Sequence, residues 1–468
     1  MSLINSAAAR CEASPDGPDV AAYAHRVLDA RLEQDISAPV AVAFSGGGDS
    51  LALLLLARAW AESAGRGLIA LTVDHGLQPA SADWAAWCAR RAAQMGVDHR
   101  VLNWEGPKPV SGVASAARRA RHRLIAEAAR AAGACVIQMG HTADDIMEAT
   151  LMSREGGQVS APRVWSPSPV WPDGRDLFIV RPLLGARRSA IRAWLSALGE
   201  TWIDDPANDD IRQPRALARS RLTSLATPLL SNSRTTDLTA LLGATQVGPA
   251  GEFRLERAVL TEARGADLFL AAAIASVSGT ERPPRGSAVR RLRARLNRPD
   301  DLVATLAGAR IAARGSILTI VRETGDQRTR PAPRLEIEPG QTDIYDGRFE
   351  VSARAGDLVL RPLSGLANHL ESTIRRRVAL VAPTARPSLP ALVDGAGRVT
   401  CPTLTPDPRV QLRCLASARL AGACGAVSRE REIGKSWFPG AESPGDGAVR
   451  GEQADGHGGA ENEDHQQH

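Results

Sequence analysis

The segment VAVAFSGGGDSLALLLLARA, Val40 to Ala59, decides how this chain is read. A short apolar run ends at Phe44, and Ser45-Gly46-Gly47-Gly48-Asp49-Ser50 follows before a second, longer apolar stretch. Glycines let main-chain N–H groups converge on an anion with no Cβ in the way. A helix that starts at once adds unpaired amide donors and the positive end of its dipole. Ser45 and Ser50 add hydroxyls, and Asp49 is at home beside phosphates only with a Mg²⁺ between them. Two other phosphate loops fail on spacing. Gly434-Lys435-Ser436 ends like a Walker A loop but has Arg429 where its first glycine belongs, and a dinucleotide fingerprint counted from Gly46 meets Leu51 at its third glycine. A tight strand-to-helix turn without a ligand is the plain alternative.

Outward from this loop, strand-like runs at Val40–Phe44, Leu68–Val73, His99–Trp104, Cys135–Met139 and Leu177–Val180 alternate with helical patterns. The helices are expected over Ser50–Ala64, Ser81–Met95 with Ser81 as N-cap, Gly112–Ala132 and Ala143–Ser153. This alternation predicts a parallel sheet wrapped on both faces, with ligands at the carboxyl ends of its strands. Arg187–Leu198 reads as a further helix closed by Gly199, and Pro214 to Asn297 is mostly helical in pattern. Residues 335–420 read as β-rich, for example at Leu335–Ile337, Arg348–Ala353 and Leu358–Leu360. No internal repeat is visible. The expected divisions are an N-terminal helical extension (1–35), the α/β unit (36–213), a helical region (214–330), a β-rich region (331–439) and an acidic tail (440–468). That tail has too few apolar residues to order itself, and its His457, His465 and His468 read as solvated.

Composition narrows the class. A length of 468 residues suggests about three domains at roughly 100–200 residues each. With 44% hydrophobic and 23% charged residues, the chain can bury ordinary cores. It has no apolar run of the ~20 residues a membrane span needs and no secretory start, so a cytoplasmic protein is expected. The net charge is +5, and Lys108 and Lys435 are its only lysines. The excess is therefore arginine, whose fork suits phosphate, and invites a polyanionic partner. Six scattered cysteines without a CxxC pair disfavour zinc ribbons, iron–sulfur clusters and disulfide scaffolds.

SGGGDS after a strand resembles the signature of the PP-loop ATP pyrophosphatases, which split ATP between its α- and β-phosphates to adenylate a substrate. The resemblance implies a five-stranded parallel sheet of the adenine nucleotide alpha hydrolase type, with ATP held by Ser45, Gly46, Gly47, Gly48, Asp49 and Ser50. Further blocks follow in order: LTVDHGLQPAS (Leu71–Ser81), AARRARHRL (Ala116–Leu124), MGHTADDIMEATLM (Met139–Met152), RPLL (Arg181–Leu184) and WIDDPANDD (Trp202–Asp210). They resemble the members of that family that join free lysine to the wobble cytidine of a CAU-anticodon tRNA(Ile). The chain departs from that pattern with His122 for a tyrosine, Ala149 for a threonine, a shorter turn at Ser153–Gly157, and Pro214 where an aromatic and arginine pair are usual.

The implied reaction has the cytidine C2 oxygen attack the ATP α-phosphate, after which lysine displaces AMP. It implies ATP and Mg²⁺ as cofactors, tRNA(Ile) and L-lysine as partners, and a monomer or homodimer with no membrane association. Asp145 is then expected to bind the lysine ammonium and accept its proton, with Asp144 supporting it or helping Asp49 hold Mg²⁺. Glu148, one helical turn on, falls on the same face and is expected to contact the amine. His141 is expected at phosphate or as acid/base, Asp74 at ribose or adenine, and Arg118, with Arg121, at phosphate. Arg215 and Arg219, with Arg285, Arg290 and Arg291, are expected to grip tRNA. Plainer roles stand beside these: acids favour helix starts, and arginines often line solvated faces. A tRNA thiolase and a non-catalytic RNA-binding relative are the competing functions.

Overall fold

A computed structural model describes residues 19–155, 161–204, 214–222, 238–325 and 333–435. The acidic tail, most of the expected N-terminal extension, residues 205–213 of the last sequence block and the side chain of Arg215 lie outside the described residues. Helix α1 (Val20–Arg31) precedes a unit built from β1 (Val40–Ala43), α2 (Gly48–Ala64), β2 (Leu68–Asp74), α3 (Ser81–Gln94), β3 (Asp98–Asn103), α4 (Val113–Ala131), β4 (Val136–Gln138), α5 (Ala143–Arg154), β5 (Trp165–Pro167), β6 (Phe178–Val180) and α6 (Arg188–Ala197). The strand order is β3-β2-β1-β4-β6-β5. The first five are parallel, as expected; β5 adds an antiparallel edge that the sequence did not announce.

The pleat of β1 explains the two layers. Val42 faces a cluster with Leu51, Leu54, Leu183, Ile191 and Leu195 from α2 and the α6 side, while Ala41 faces Ile125, Ala126 and Ala129 of α4. Every residue from Leu51 to Ala57 is buried, so α2 is apolar all round because it is covered all round. It begins at Gly48, two residues earlier than expected, and so absorbs the end of the glycine loop. Ser81 is the first residue of α3 rather than its cap; Ala80 occupies the cap position without a side-chain bond.

β1 and β4 are neighbours, and the chain leaves β1 toward β2 but leaves β4 toward β5 and β6, so their connections run in opposite directions. A crevice opens at such a reversal, at the strands' carboxyl ends. The glycine loop follows β1, Asp74 ends β2, and Gly140-His141 follow β4. All three reach that crevice.

Helices α7 (Pro214–Leu222), α8 (Thr239–Gly243), α9 (Arg257–Glu262), α10 (Ala266–Ser278) and α11 (Gly286–Leu296) follow. Helix α7 packs on α5, and the other four surround a five-stranded antiparallel sheet, within the stretch expected to be helical, formed by β7 (Gln246–Val247), β8 (Phe253–Glu256), β9 (Leu302–Leu306), β10 (Ala309–Arg314) and β11 (Ile317–Arg322). Phe253, Phe269, Leu270, Ile274, Ile311 and Ile320 are fully buried between them. Seven further strands, β12 (Leu335–Ile337) to β18 (Val410–Cys414), make a four-stranded and a three-stranded sheet. Helices α12 (Ser372–Leu380) and α13 (Ala416–Ala423) complete the set.

The end of this region closes back on the α/β unit. Arg66 and Glu430 pair at 2.6 Å with 1% of either side chain exposed. The Trp165 indole donates to the Val427 carbonyl at 2.8 Å, and the Arg31 guanidinium to that of Ser428 at 2.7 Å.

Candidate active site

The loop is held by its own serines. Ser45 N–H donates to Ser50 Oγ at 3.2 Å, and Ser50 Oγ donates to the Gly47 carbonyl at 2.8 Å. Gly46 takes φ +83°, and a Cβ there would lie 2.5 Å from Ile203 Cδ1. Its carbonyl accepts from Ile203 N–H at 3.0 Å, which ties the Trp202–Asp204 segment to the loop. A Cβ on Gly140 would stand 3.0 Å from the Asp49 carbonyl, so the β4–α5 turn also needs glycine. Gly47 caps α2, leaving the amides of Gly48, Asp49 and Ser50 without intrahelical partners.

These amides border a cleft of about 740 Å³ lined by Ser45, Gly47–Ser50, Asp74, His75, Arg121, His141, Asp145, Arg188, Arg192 and Arg219 among others. Asp49, Asp74, His141 and Asp145 are thus brought together as expected from the sequence. Asp144, Glu148 and Arg118 do not line it. Asp144 is turned toward α6, where its carboxylate accepts from Arg188 N–H at 2.8 Å and pairs with the Arg187 guanidinium at 3.3 Å. It anchors the start of that helix. Arg118 is exposed on α4, whereas Arg121, three residues on, reaches the cleft. Asp74 accepts from Gly76 N–H at 2.8 Å, which fixes the turn after β2.

Asp145 combines two positions. One carboxylate oxygen accepts from Thr142 N–H at 2.8 Å and Thr142 Oγ1–H at 3.0 Å, closing a capping box at the start of α5. The same group faces the cleft. Burial would raise its pKa, but the Thr142 hydrogen bonds and the Arg188 charge oppose it, and the carboxyl lies below its usual range. Asp49 is shifted the other way, because burial outweighs Arg188. His141 accepts through Nδ1 from Arg181 Nε at 3.2 Å, so its neutral ring carries a proton on Nε2. Burial first, then the Arg181 charge, push its pKa well down. His122, 3% exposed on α4, is pushed down to about 2 by burial and by Arg121 and Arg118. Both imidazoles are therefore neutral, His141 lining the cleft and His122 buried near it among arginines.

Sequence reasoning missed Arg188. Its Nε donates to Asp49 at 2.9 Å, and its terminal nitrogens lie 3.4 Å from Glu148 and 3.6 Å from Asp145. One guanidinium therefore joins the loop acid to both acids of α5. Arg219 Nε donates to Glu148 at 2.9 Å, which pairs this expected tRNA contact with a buried acid behind the cleft wall. A signal was present: Arg187 and Arg188 open a helix, where cations are disfavoured by the dipole, and a broken local rule marks a site.

Among the described residues no three His, Cys, Asp or Glu side chains gather as a metal cage. Among the described residues no cysteine lines the cleft, and burial pushes the Cys88 thiol behind it up to about 11. No described helix is long and apolar enough to cross a membrane.

Residues 22–226 match the family model of the PP-loop domain. The chain is 43% identical over 409 residues to the tRNA(Ile)-lysidine synthase of Caulobacter vibrioides, covering 86% of this chain and 97% of that protein. The synthase of Hyphomonas neptunium is 37% identical, with 73% and 96% covered, and that of Rhizobium meliloti 33% identical, with 76% and 83% covered.

Proposed function

This chain belongs to the tRNA(Ile)-lysidine synthases, PP-loop enzymes, and from that premise we propose how its cleft carries out the ligation. The observation that carries the reading is the meeting of the Ser45–Ser50 loop and Asp145 of α5 across one crevice, joined by Arg188. The loop amides and the start of α2 hold the departing pyrophosphate. Arg121 and Arg181 add positive charge at the same end, with neutral His141 free to hydrogen-bond phosphate through Nε2–H. Asp74, at the end of β2, borders the nucleoside.

Mg²⁺ fits here only as a cation shared with the phosphates. Asp49 is the one loop carboxylate, and Asp144, expected as a second ligand, is committed to Arg187 and the α6 main chain. Such sharing is usual for a small hard ion bound by one or two carboxylates plus nucleotide. When bound, it neutralises phosphate charge. Asp145 then binds the ammonium of free L-lysine and accepts its proton, once the closed cleft has brought their pKa values together. Glu148, 2% exposed just behind it, supports the same amine. Specificity for the CAU anticodon, a cytoplasmic setting and a monomer or homodimer complete the reading.

Mass spectrometry of the wobble cytidine after incubation with ATP, Mg²⁺ and lysine tests it. Lysidine is expected only when all three are present, and a wobble cytidine that gains no lysine mass in the complete mixture would refute the assignment. The thiolase reading fares worse, since none of the described cysteines lines the cleft.

The expected tRNA grip is the exposed arginine surface of α11 and its approach, Arg285, Arg290 and Arg291. Affinity for tRNA is predicted to fall with salt through counterion release, with R290E/R291E reducing the log–log slope by about 2. A filter-binding series that gave equal slopes for both proteins would place the tRNA elsewhere.

A further inference from the structure

The geometry points to Arg188 as a resident stand-in for the substrate's ammonium group: its guanidinium fills the place between Asp145 and Glu148 that the amine takes, and lysine binds by displacing it. This rests on the reading of Asp145 and Glu148 above.

The contacts are uneven. Nε sits on Asp49 at 2.9 Å, the ordinary length of an N–H···O bond, but the terminal nitrogens reach Glu148 and Asp145 only at 3.4 and 3.6 Å. The group is anchored at the loop and loosely held at α5. A planar fork cannot meet three carboxylates from two elements at full strength. An ammonium is compact and turns its three donors freely, so it can sit at normal distance from both α5 acids.

The surroundings suit an exchange. Each α5 acid keeps a fixed partner when Arg188 leaves: Thr142 for Asp145 and Arg219 for Glu148. One cation replaces another, so the local charge is unchanged. Arg188 N–H is pinned by Asp144 at the first turn of α6, and the side chain can swing without main-chain movement. Without a resident cation, Asp49, Asp145 and Glu148 would repel one another in a half-buried space.

Isothermal titration of L-lysine into the full-length protein, without nucleotide, tests this directly. Arg188→Gln removes the competitor and is expected to bind lysine roughly tenfold more tightly than wild type, about the worth of one charge-assisted contact. Arg188→Lys keeps a charge for folding but cannot span both elements, and is expected to show a smaller gain. A wild-type isotherm too weak to fit beside a fitted R188Q isotherm counts as the same gain. Equal or weaker binding by both variants, or heat from neither, overturns the proposal; if R188Q does not fold, R188K decides alone. The double variant R188Q/E148Q is expected to lose the gain. If it keeps it, lysine is not held at Glu148, and the underlying reading falls with the inference. If Glu148→Gln alone weakens lysine binding while R188Q brings no gain, only the stand-in role is lost.

Discussion

Asp145→Asn is expected to lower the rate of lysidine formation at saturating substrates by about 10²–10⁴-fold, the range a positioned general base supplies. The substitution separates two roles of one side chain. An asparagine carbonyl oxygen can still accept from Thr142 N–H and its hydroxyl, so the start of α5 keeps its closure. What is lost is the negative charge facing the amine and the site that receives its proton. Asp145→Ala loses the helix closure as well, worth about 1 kcal/mol. Single-turnover measurement of modified tRNA, with the thermal midpoint of each variant, distinguishes the cases. If the asparagine variant were to turn over at the wild-type rate, Asp145 would be a helix cap and nothing more.

The largest effect on stability is expected from Glu430→Ala. Arg66 is fully engaged: it donates to both Glu430 oxygens, at 2.6 and 2.9 Å, and to the carbonyls of Glu33 and Ala38. Removing the acid strands a buried cation, and breaking such a pair costs about 3–5 kcal/mol. Arg66→Met with Glu430→Met is expected to cost far less, because no lone charge remains in the interior. Urea unfolding of the three proteins gives the comparison. A single-variant loss below that of the double variant would show that solvent reaches Arg66.

Much of the nucleotide end was legible because its chemistry is local. SGGGDS needs only a strand before it and a helix after it, and both were evident from runs such as Val40–Phe44 and Leu51–Leu56. The five parallel strands followed from alternation alone. The acid end was half legible. Asp145 and Glu148 could be placed on one helical face by spacing, but no spacing shows that Asp144 would turn to α6, or that Arg188 would cross to Asp49, 139 residues away. The hairpin strands after Asn297 were hidden by their turns. Leu306 pairs with Ala309 around Ala307-Gly308, and Ala307 takes φ +49°, a conformation usually announced by asparagine or glycine. β5 is three residues long and ends in proline, too short for a periodic signal.

The seat of α1 has a consequence for synthesis. Arg31 bonds Ser428 across 397 residues, and Ile433 packs on the cluster of Leu28, Leu32 and Trp60. At about 5–20 residues per second, a ribosome needs roughly 20–80 s to supply those partners. During that interval α1 can already rest on α2, β1 and the α6 side through Val20, Ala24, Leu28 and Leu32, so the late residues act as a clasp on a helix that is already seated.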